Sequence, residues 1–415
     1  MSLLYNFGIQ LYHLSILVAS IFNKKASLMI KGRKGLLNNI KSQINKNDNI
    51  IWFHCASLGE FEQGRPLIEN IKKKYPDKKI LLTFFSPSAY EIRKNYSQAD
   101  YIFYLPFDTK NNAKKFIKIV NPKIAIFVKY EYWFNYISEL KKNNVPLFFT
   151  SSIFNKNKYF FKWYGSWSRK NLKKISGFFV QNQESKKLLE SIGISNVVVS
   201  GDTRFDRVYK LSQNCERNLL IEKFVSDKRV FIAGSTWPPD DVLIVDLINS
   251  GFDNIKFIIA PHEINDNKIE NLIKSLKPKT LKYSDANLQN IQYADVLIID
   301  CIGILSKLYQ YSSIAYIGGG FGVSIHNIQE PATFGNTIIF GTNYKGFQEA
   351  VDLVDLGGAF PVENSRQLIS KTKKLLSDKK FLKTSSDICL NYIKKKTGAT
   401  ELILSKLEDI NAFDF

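Results

Sequence analysis

Two carboxylates, Glu60 in Ser57-Leu58-Gly59-Glu60 and Glu131 in Lys129-Tyr130-Glu131, each follow directly on an apolar run of strand length. The run "IIWFHC" precedes the first, and Leu67, Ile68 and Ile71 behind it predict a helix. Glu60 therefore stands at the carboxyl edge of a strand and the N-terminus of a helix, where an ionised carboxylate is favoured and can take a proton. A capping role suits the same position. Glu131, after "KIAIFV", has two readings of the same kind: a second carboxylate that positions a substrate or supports Glu60, or an acid at a helix start.

Three later loops offer groups for an anion. "FIAGSTWPPDD" places Ser235 and Thr236 between a strand and a helix opened by Pro238 and Pro239, a geometry that suits a phosphate oxygen. "IIAPHEI" leaves His262 at a strand end, either within reach of a bound donor or simply packed. "AYIGGGFGVSIHNIQEPATFG" has glycines at 318, 319 and 320, which allow close backbone approach to an anion. Asn327 and Glu330, three residues apart, are expected on one helical face, where a carboxylate can accept from both hydroxyls of a ribose. No G-x-G-x-x-G with a following acid and no G-x-x-x-x-G-K-[ST] occurs, so nicotinamide redox chemistry and ATP hydrolysis lose support.

The elements that hold these loops follow from periodicity. At 415 residues, 45% hydrophobic and 23% charged, the chain is globular and long enough for two domains. Seven apolar runs between residues 50 and 201 and five more between 230 and 342 alternate with helical segments. Strands without polar alternation are buried on both faces, which predicts parallel sheets covered by helices: two doubly wound α/β domains facing across a cleft. The expected divisions are an N-terminal helix over 1–25, a first domain over 26–206, a linker over 207–225, a second domain over 226–385 and terminal helices over 386–415.

Charge and composition suggest partners. The chain has 58 Lys+Arg against 38 Asp+Glu, a formal +20, which implies an anionic partner unless it reflects compositional bias alone. The first 22 residues are mostly apolar, and residues 23–46 carry seven basic residues and no acid. Such a helix with a basic flank holds a protein to an anionic cytoplasmic leaflet at about 1 kcal/mol per basic group; the alternative is a helix packed on its own domain. Residues 154–174 interleave seven basic with seven aromatic residues, a mixture that suits an anionic glycolipid or single-stranded nucleic acid. Cys55, Cys215, Cys301 and Cys389 lie far apart without metal-ligand spacing and are expected to be buried, reduced thiols.

One family is similar throughout. "WFHCASLGE", "KYEYWFN", "GDTRFD", "GST", "DCIGILSKLY" and "IHNIQEPATFG" occur in the order of the motifs of Kdo transferases, which attach 3-deoxy-D-manno-octulosonic acid to a lipid A precursor in lipopolysaccharide core synthesis. The resemblance implies a GT-B glycosyltransferase of two Rossmann-like domains that works at the cytoplasmic face of the inner membrane, with CMP-Kdo as donor and neither metal nor cofactor. It implies Glu60 as general base and Asn327 and Glu330 as residues that hold the nucleotide; the strand-end reading adds Glu131 as second carboxylate and the remaining contacts. Donor binding falls to Ser235, Thr236, His262, Gly319, Gly320, Asn327 and Glu330. The acceptor falls to Ser57, Gly59, Lys156, Lys158 and Arg169. This sequence departs from the family where Pro-Arg-His-Pro reads Ala260-Pro261-His262-Glu263, where Asn-Ala-Arg-Leu-Ser reads Thr150-Ser151-Ser152-Ile153-Phe154, and where Ser-Thr-His ends in Trp237. Another GT-B enzyme using a UDP-sugar, as transferase or epimerase, and a basic nucleic-acid-binding protein are the competing readings.

Overall fold

The computed structural model describes all 415 residues, which form two compact units: Met1–Asp206 with Thr397–Phe415, and Arg207–Lys396. The first holds a seven-stranded sheet of β1 (Ile50–Cys55), β2 (Lys79–Phe84), β3 (Tyr101–Tyr104), β4 (Ile124–Val128), β5 (Leu147–Ser152), β6 (Gly177–Val180) and β7 (Val197–Val199). Its order is β3-β2-β1-β4-β5-β6-β7 and every pair is parallel. All seven apolar runs of the first half are these strands. Because both faces are covered, β1 is buried along its whole length. Its Trp52 lies among Phe116, Phe127 and Tyr136 and donates its indole N–H to Thr83 Oγ1 at 2.8 Å.

The second unit repeats the design with β8 (Arg229–Thr236), β9 (Ile255–Pro261), β10 (Thr280–Lys282), β11 (Val296–Ile298), β12 (Ile314–Ile317), β13 (Thr337–Phe340) and β14 (Ala359–Pro361), again all parallel. The order is β10-β11-β9-β8-β12-β13-β14. The two strands that hydrophobic pattern does not announce, β10 and β14, are three-residue edges with too few apolar positions to register as a run.

Strand order reverses beside β1 and β4 in one sheet and beside β8 and β12 in the other. At such switch points the flanking loops part to opposite faces and leave a crevice at the carboxyl ends of the strands. Four of the motif loops, those after β1, β4, β8 and β12, leave from these strands.

Three helices precede β1: α1 (Ser2–Ala19), α2 (Lys24–Lys31) and α3 (Leu36–Gln43). α1 is two-sided. Tyr5 packs on Phe134 and Trp167, His13 on Phe107, and Ile16 is buried, while Leu3, Leu4, Phe7, Leu14 and Val18 stay exposed. One side of the helix thus packs on the domain, as one of the two expectations has it, and the other side leaves apolar surface exposed. The Tyr5 hydroxyl donates to Asp108, whose carboxylate also accepts the amides of Asn135 and Tyr136. Burial pushes the Asp108 carboxyl up to about 6 despite those donors.

Arg33, counted in the basic flank, is not available to a membrane. Its guanidinium bonds the carbonyls of Met29, Phe85 and Leu105 and lies against the rings of Phe85, Tyr104 and Phe107, and burial lowers its pKa to about 10. The expected linker 207–225 is instead largely helical, in Arg204–Gln213 and Leu219–Val225, and residues 207–225 belong to the second unit. The terminal helices divide: Lys379–Lys396 stays with the second unit, whereas Ala399–Glu408 returns to the first. Only Cys55 and Cys389 are buried; Cys215 is half-buried and Cys301 exposed, which corrects the expectation of four interior thiols.

Candidate active site

In the first unit β1 ends at Cys55, and Ser57, in extended conformation, is the N-cap of α4 (Leu58–Lys74). Glu60 is the third residue of that helix and half-exposed, and the Ser57 hydroxyl donates to its carboxylate. The Glu60 side chain thus reaches back to the N-cap residue, and the Ser57 hydroxyl orients it at the strand end. Gly59 is exposed beside it.

The loop after β4 comes to the same place. Lys129 has φ +70°, a left-handed backbone that a side-chain-bearing residue adopts only under constraint. Its amide donates to Thr150 O and its carbonyl accepts the Ser152 hydroxyl, so β5 holds the turn that presents Tyr130 and Glu131. The Glu131 carboxylate accepts the Trp133 indole N–H at 2.7 Å, and His54 Nε2 lies 3.5 Å from the same oxygen and 3.2 Å from the indole nitrogen. His54 Nδ1 meets Thr83 O at 3.1 Å and Thr83 Oγ1 at 2.9 Å. A proton on Nδ1, directed at the carbonyl, leaves Nε2 to accept the indole N–H that Glu131 shares. The Cys55 thiol is pushed up by burial first and then by the charges of Glu60 and Glu131, so both acids bear on the end of β1.

The remaining first-unit candidates separate. Lys158 is exposed, with its ammonium over the Tyr130 ring, and Lys156 is exposed nearby in sequence. Arg169 is not free for an acceptor: its guanidinium holds the carbonyls of Phe160 and Lys162 and so shapes the 159–165 segment. The aromatics of 154–174 divide likewise, with Phe154 and Phe160 in the core and Trp163 89% exposed. The two acids of "GDTRFD" are structural. Asp202 is buried against Gln63 and Arg204, and Asp206 accepts the amides of Gly398 and Thr400 at the start of the returning helix.

In the second unit β8 bulges at Ser235, which has φ +55°. Asp240, fully buried, accepts the Trp237 amide at 2.9 Å, the Tyr316 hydroxyl at 2.7 Å and the Gly319 amide at 2.9 Å. The last bond corrects an expectation, because the Gly319 N–H is already committed to a carboxylate and is not left for a phosphate. The glycines have a different cause. A Cβ at 318 would meet Ser235 O at 2.2 Å, at 319 Ser324 O at 2.3 Å and at 320 Gly341 N at 2.6 Å, so the run lets backbone pass against backbone. Asn327 also differs: it precedes the helix Gln329–Thr333, and its side chain accepts the Gln329 amide, so it shares no helical face with Glu330. Glu330, half-exposed, lies 3.9 Å from Arg207.

His262 is part of a stack. The Trp237 ring lies 4.6 Å from His262, and His262 lies 4.4 Å from His326. The indole N–H donates to His326 Nε2 at 2.9 Å. The tryptophan that replaces the family's histidine thus supplies an N–H donor and a stacking face in the same loop. Burial, then the neighbouring His262, holds the His326 pKa below its ordinary value. A histidine whose folded pKa is depressed leaves stability intact above its unfolded pKa of about 6.5 and subtracts from it as pH falls below that value. NMR titration of the imidazole protons should find the His326 midpoint below about 6.5; a midpoint at or above it would break this account.

Sequence reasoning missed His54, Lys129 and Asp240. The signals were present: a histidine one turn of the pleat beyond Trp52 in β1, a lysine at the strand-to-loop step, and an acid at the N3 position of a Pro-opened helix.

Two parallel seven-stranded α/β units, with acids and polar loops at the switch points, define a GT-B-type protein. The fold is similar to that of the UDP-GlcNAc 2-epimerase from Neisseria meningitidis (TM-score 0.61, 15% identity, 87% of this chain and 100% of that one). It is also similar to that of Acinetobacter baumannii MurG (TM-score 0.54, 11% identity, 87% and 99%).

Residues 30–207 match the family described as 3-deoxy-D-manno-octulosonic-acid transferase (kdotransferase), and most of the chain is similar to transferases of that name. It is 28% identical to the 3-deoxy-D-manno-octulosonic acid transferase of Rickettsia conorii over 88% of this chain and 81% of that protein. The same identity holds with that of Aquifex aeolicus over 83% and 90%. A bifunctional glycosyltransferase/methyltransferase of Fusobacterium nucleatum is also 28% identical over 88% of this chain, which spans 60% of that longer protein.

Proposed function

We propose that the chain is an inverting glycosyltransferase that moves Kdo from CMP-Kdo to a lipid A precursor in lipopolysaccharide synthesis, at the cytoplasmic face of the inner membrane. The observation that carries this reading is Glu60, oriented by Ser57 at the switch point of a parallel sheet, within the residues matched to the Kdo transferase family.

Glu60 takes the proton of an acceptor hydroxyl while that oxygen attacks the anomeric carbon. The glycosidic bond to CMP breaks with its electron pair passing to the phosphate oxygen, and attack opposite the leaving group inverts the centre. Glu131, fixed by Trp133 and close to His54, orients the acceptor. In the second unit Ser235 and His262 meet the phosphate, with the Gly320 backbone beside them, and Glu330 and Asn327 meet the ribose; the Thr236 hydroxyl, expected among the phosphate contacts, is buried instead. Because the Gly319 amide is engaged by Asp240, the Ser235 hydroxyl and the imidazole take a larger share of the developing charge. The exposed apolar side of α1 supports work at a membrane surface.

Mass analysis of a reaction containing purified full-length protein, CMP-Kdo and a lipid A precursor tests the reading, with UDP-GlcNAc as a parallel donor. Growth of the acceptor by Kdo units, only with CMP-Kdo, is the expected result. An unchanged acceptor with CMP-Kdo would overturn it.

A further inference from the structure

A pocket of about 650 Å³ opens between α1, the loop after β4 and the 159–168 segment, within the range of small-molecule sites. Its walls are mainly apolar: Leu4 and Ile9 from α1 face Tyr132, Phe134 and Trp167, and Glu131 lies among the lining residues. We propose that this pocket takes one fatty-acyl chain of the anionic glycolipid acceptor, so that α1 is a wall of the acceptor site as well as a membrane contact. The inference rests on the transfer reading for the identity of the glycolipid.

Three observations favour an acyl chain. The helix is registered against the site rather than loosely attached, because Tyr5 is bonded to the same Asp108 carboxylate that holds the amides of Asn135 and Tyr136, just beyond the Glu131 loop. Lys129 and Lys158 place their ammonium groups 5.5 and 5.6 Å from the centre of the Tyr130 ring, itself a lining residue, which supplies positive charge for an anionic headgroup at the mouth. The exposed apolar side of α1 and the exposed Trp163 continue the apolar surface outward, so that a chain can pass from a bilayer into the pocket along apolar groups.

Kinetics of the full-length protein in detergent, with an acylated lipid A precursor and with its deacylated sugar phosphate, tests this. Ile9→Trp, which fills the pocket, is expected to raise KM for the acylated acceptor at least tenfold more than KM for the deacylated one. Leu4→Asp, at an exposed rim position that folding does not require, should show the same discrimination. Equal changes for both acceptors, or no change, would overturn the pocket.

If the unaltered protein transfers to neither acceptor, the transfer reading has failed and the pocket is judged by binding alone. In a Trp163→Phe background, doxyl-stearate should then quench Trp133 and Trp167 saturably, and Ile9→Phe, which adds bulk without a further indole, should weaken that saturation. Absence of saturable quenching would dismiss the pocket on its own account.

Discussion

Glu60→Gln is expected to fold as the parent does, bind CMP with unchanged affinity and lose transfer by about 10²- to 10⁴-fold, the contribution typical of a positioned general base. Glutamine keeps an oxygen for the Ser57 hydroxyl, so the side chain stays oriented and only its ability to accept a proton is removed. Any loss of stability should remain under about 1 kcal/mol, because the site is half-exposed and the replaced bond is local. Single-turnover rates beside calorimetric CMP binding separate chemistry from binding. Turnover within tenfold of the parent would take the base assignment away from Glu60. Glu131→Gln should differ in kind, raising KM for the acceptor more than it lowers kcat, if its task is to orient.

The second large effect is one of stability. Asp240→Ala should destabilise the second unit by about 3–5 kcal/mol, because three donors lose their acceptor at a fully buried site and each orphaned group costs about 1–3 kcal/mol. Asp240→Asn, which keeps one acceptor oxygen, should cost clearly less. Denaturant unfolding of both variants checks this, and near-equal losses would mean that the carboxylate is not what ties these loops. The same bonds join the N-terminus of the helix Pro238–Asn249 to β12 and to the glycine run, so Asp240→Ala should also weaken CMP binding from a distance.

The architecture was legible where burial is strong. Every strand of the first sheet is a mainly apolar run, because a parallel strand between two helical layers is buried on both faces and takes polar residues such as His54 and Thr83 only where they are hydrogen-bonded. The edges β10 and β14 were not legible, since short edge strands need no such run. In the site, position was legible and bonding was not. Glu60 and Glu131 lie at strand ends as their flanks imply, yet nothing local reveals that Trp133 and His54 hold Glu131. The glycine run misled for a related reason: the pattern records that something approaches closely, and only the fold says that it is Ser235, Ser324 and Gly341 backbone. Arg33 and Arg169 show the same limit, since a charged residue in a basic stretch reads as exposed until its carbonyl partners are in place.

The return of Thr397–Phe415 to the first unit has a consequence for biosynthesis. Ile403, Leu407 and Phe413 pack with Ile68 and Ile71 of α4, so the N-terminal core is finished only by residues made after the whole second unit. At the usual pace of translation the roughly 190 intervening residues take about 10–40 s, during which the back of the helix that carries Glu60 stays uncovered. The emerging chain must therefore build its second unit while the first is still open, and a nascent protein halted near residue 396 would hold a complete second unit and an unfinished first one.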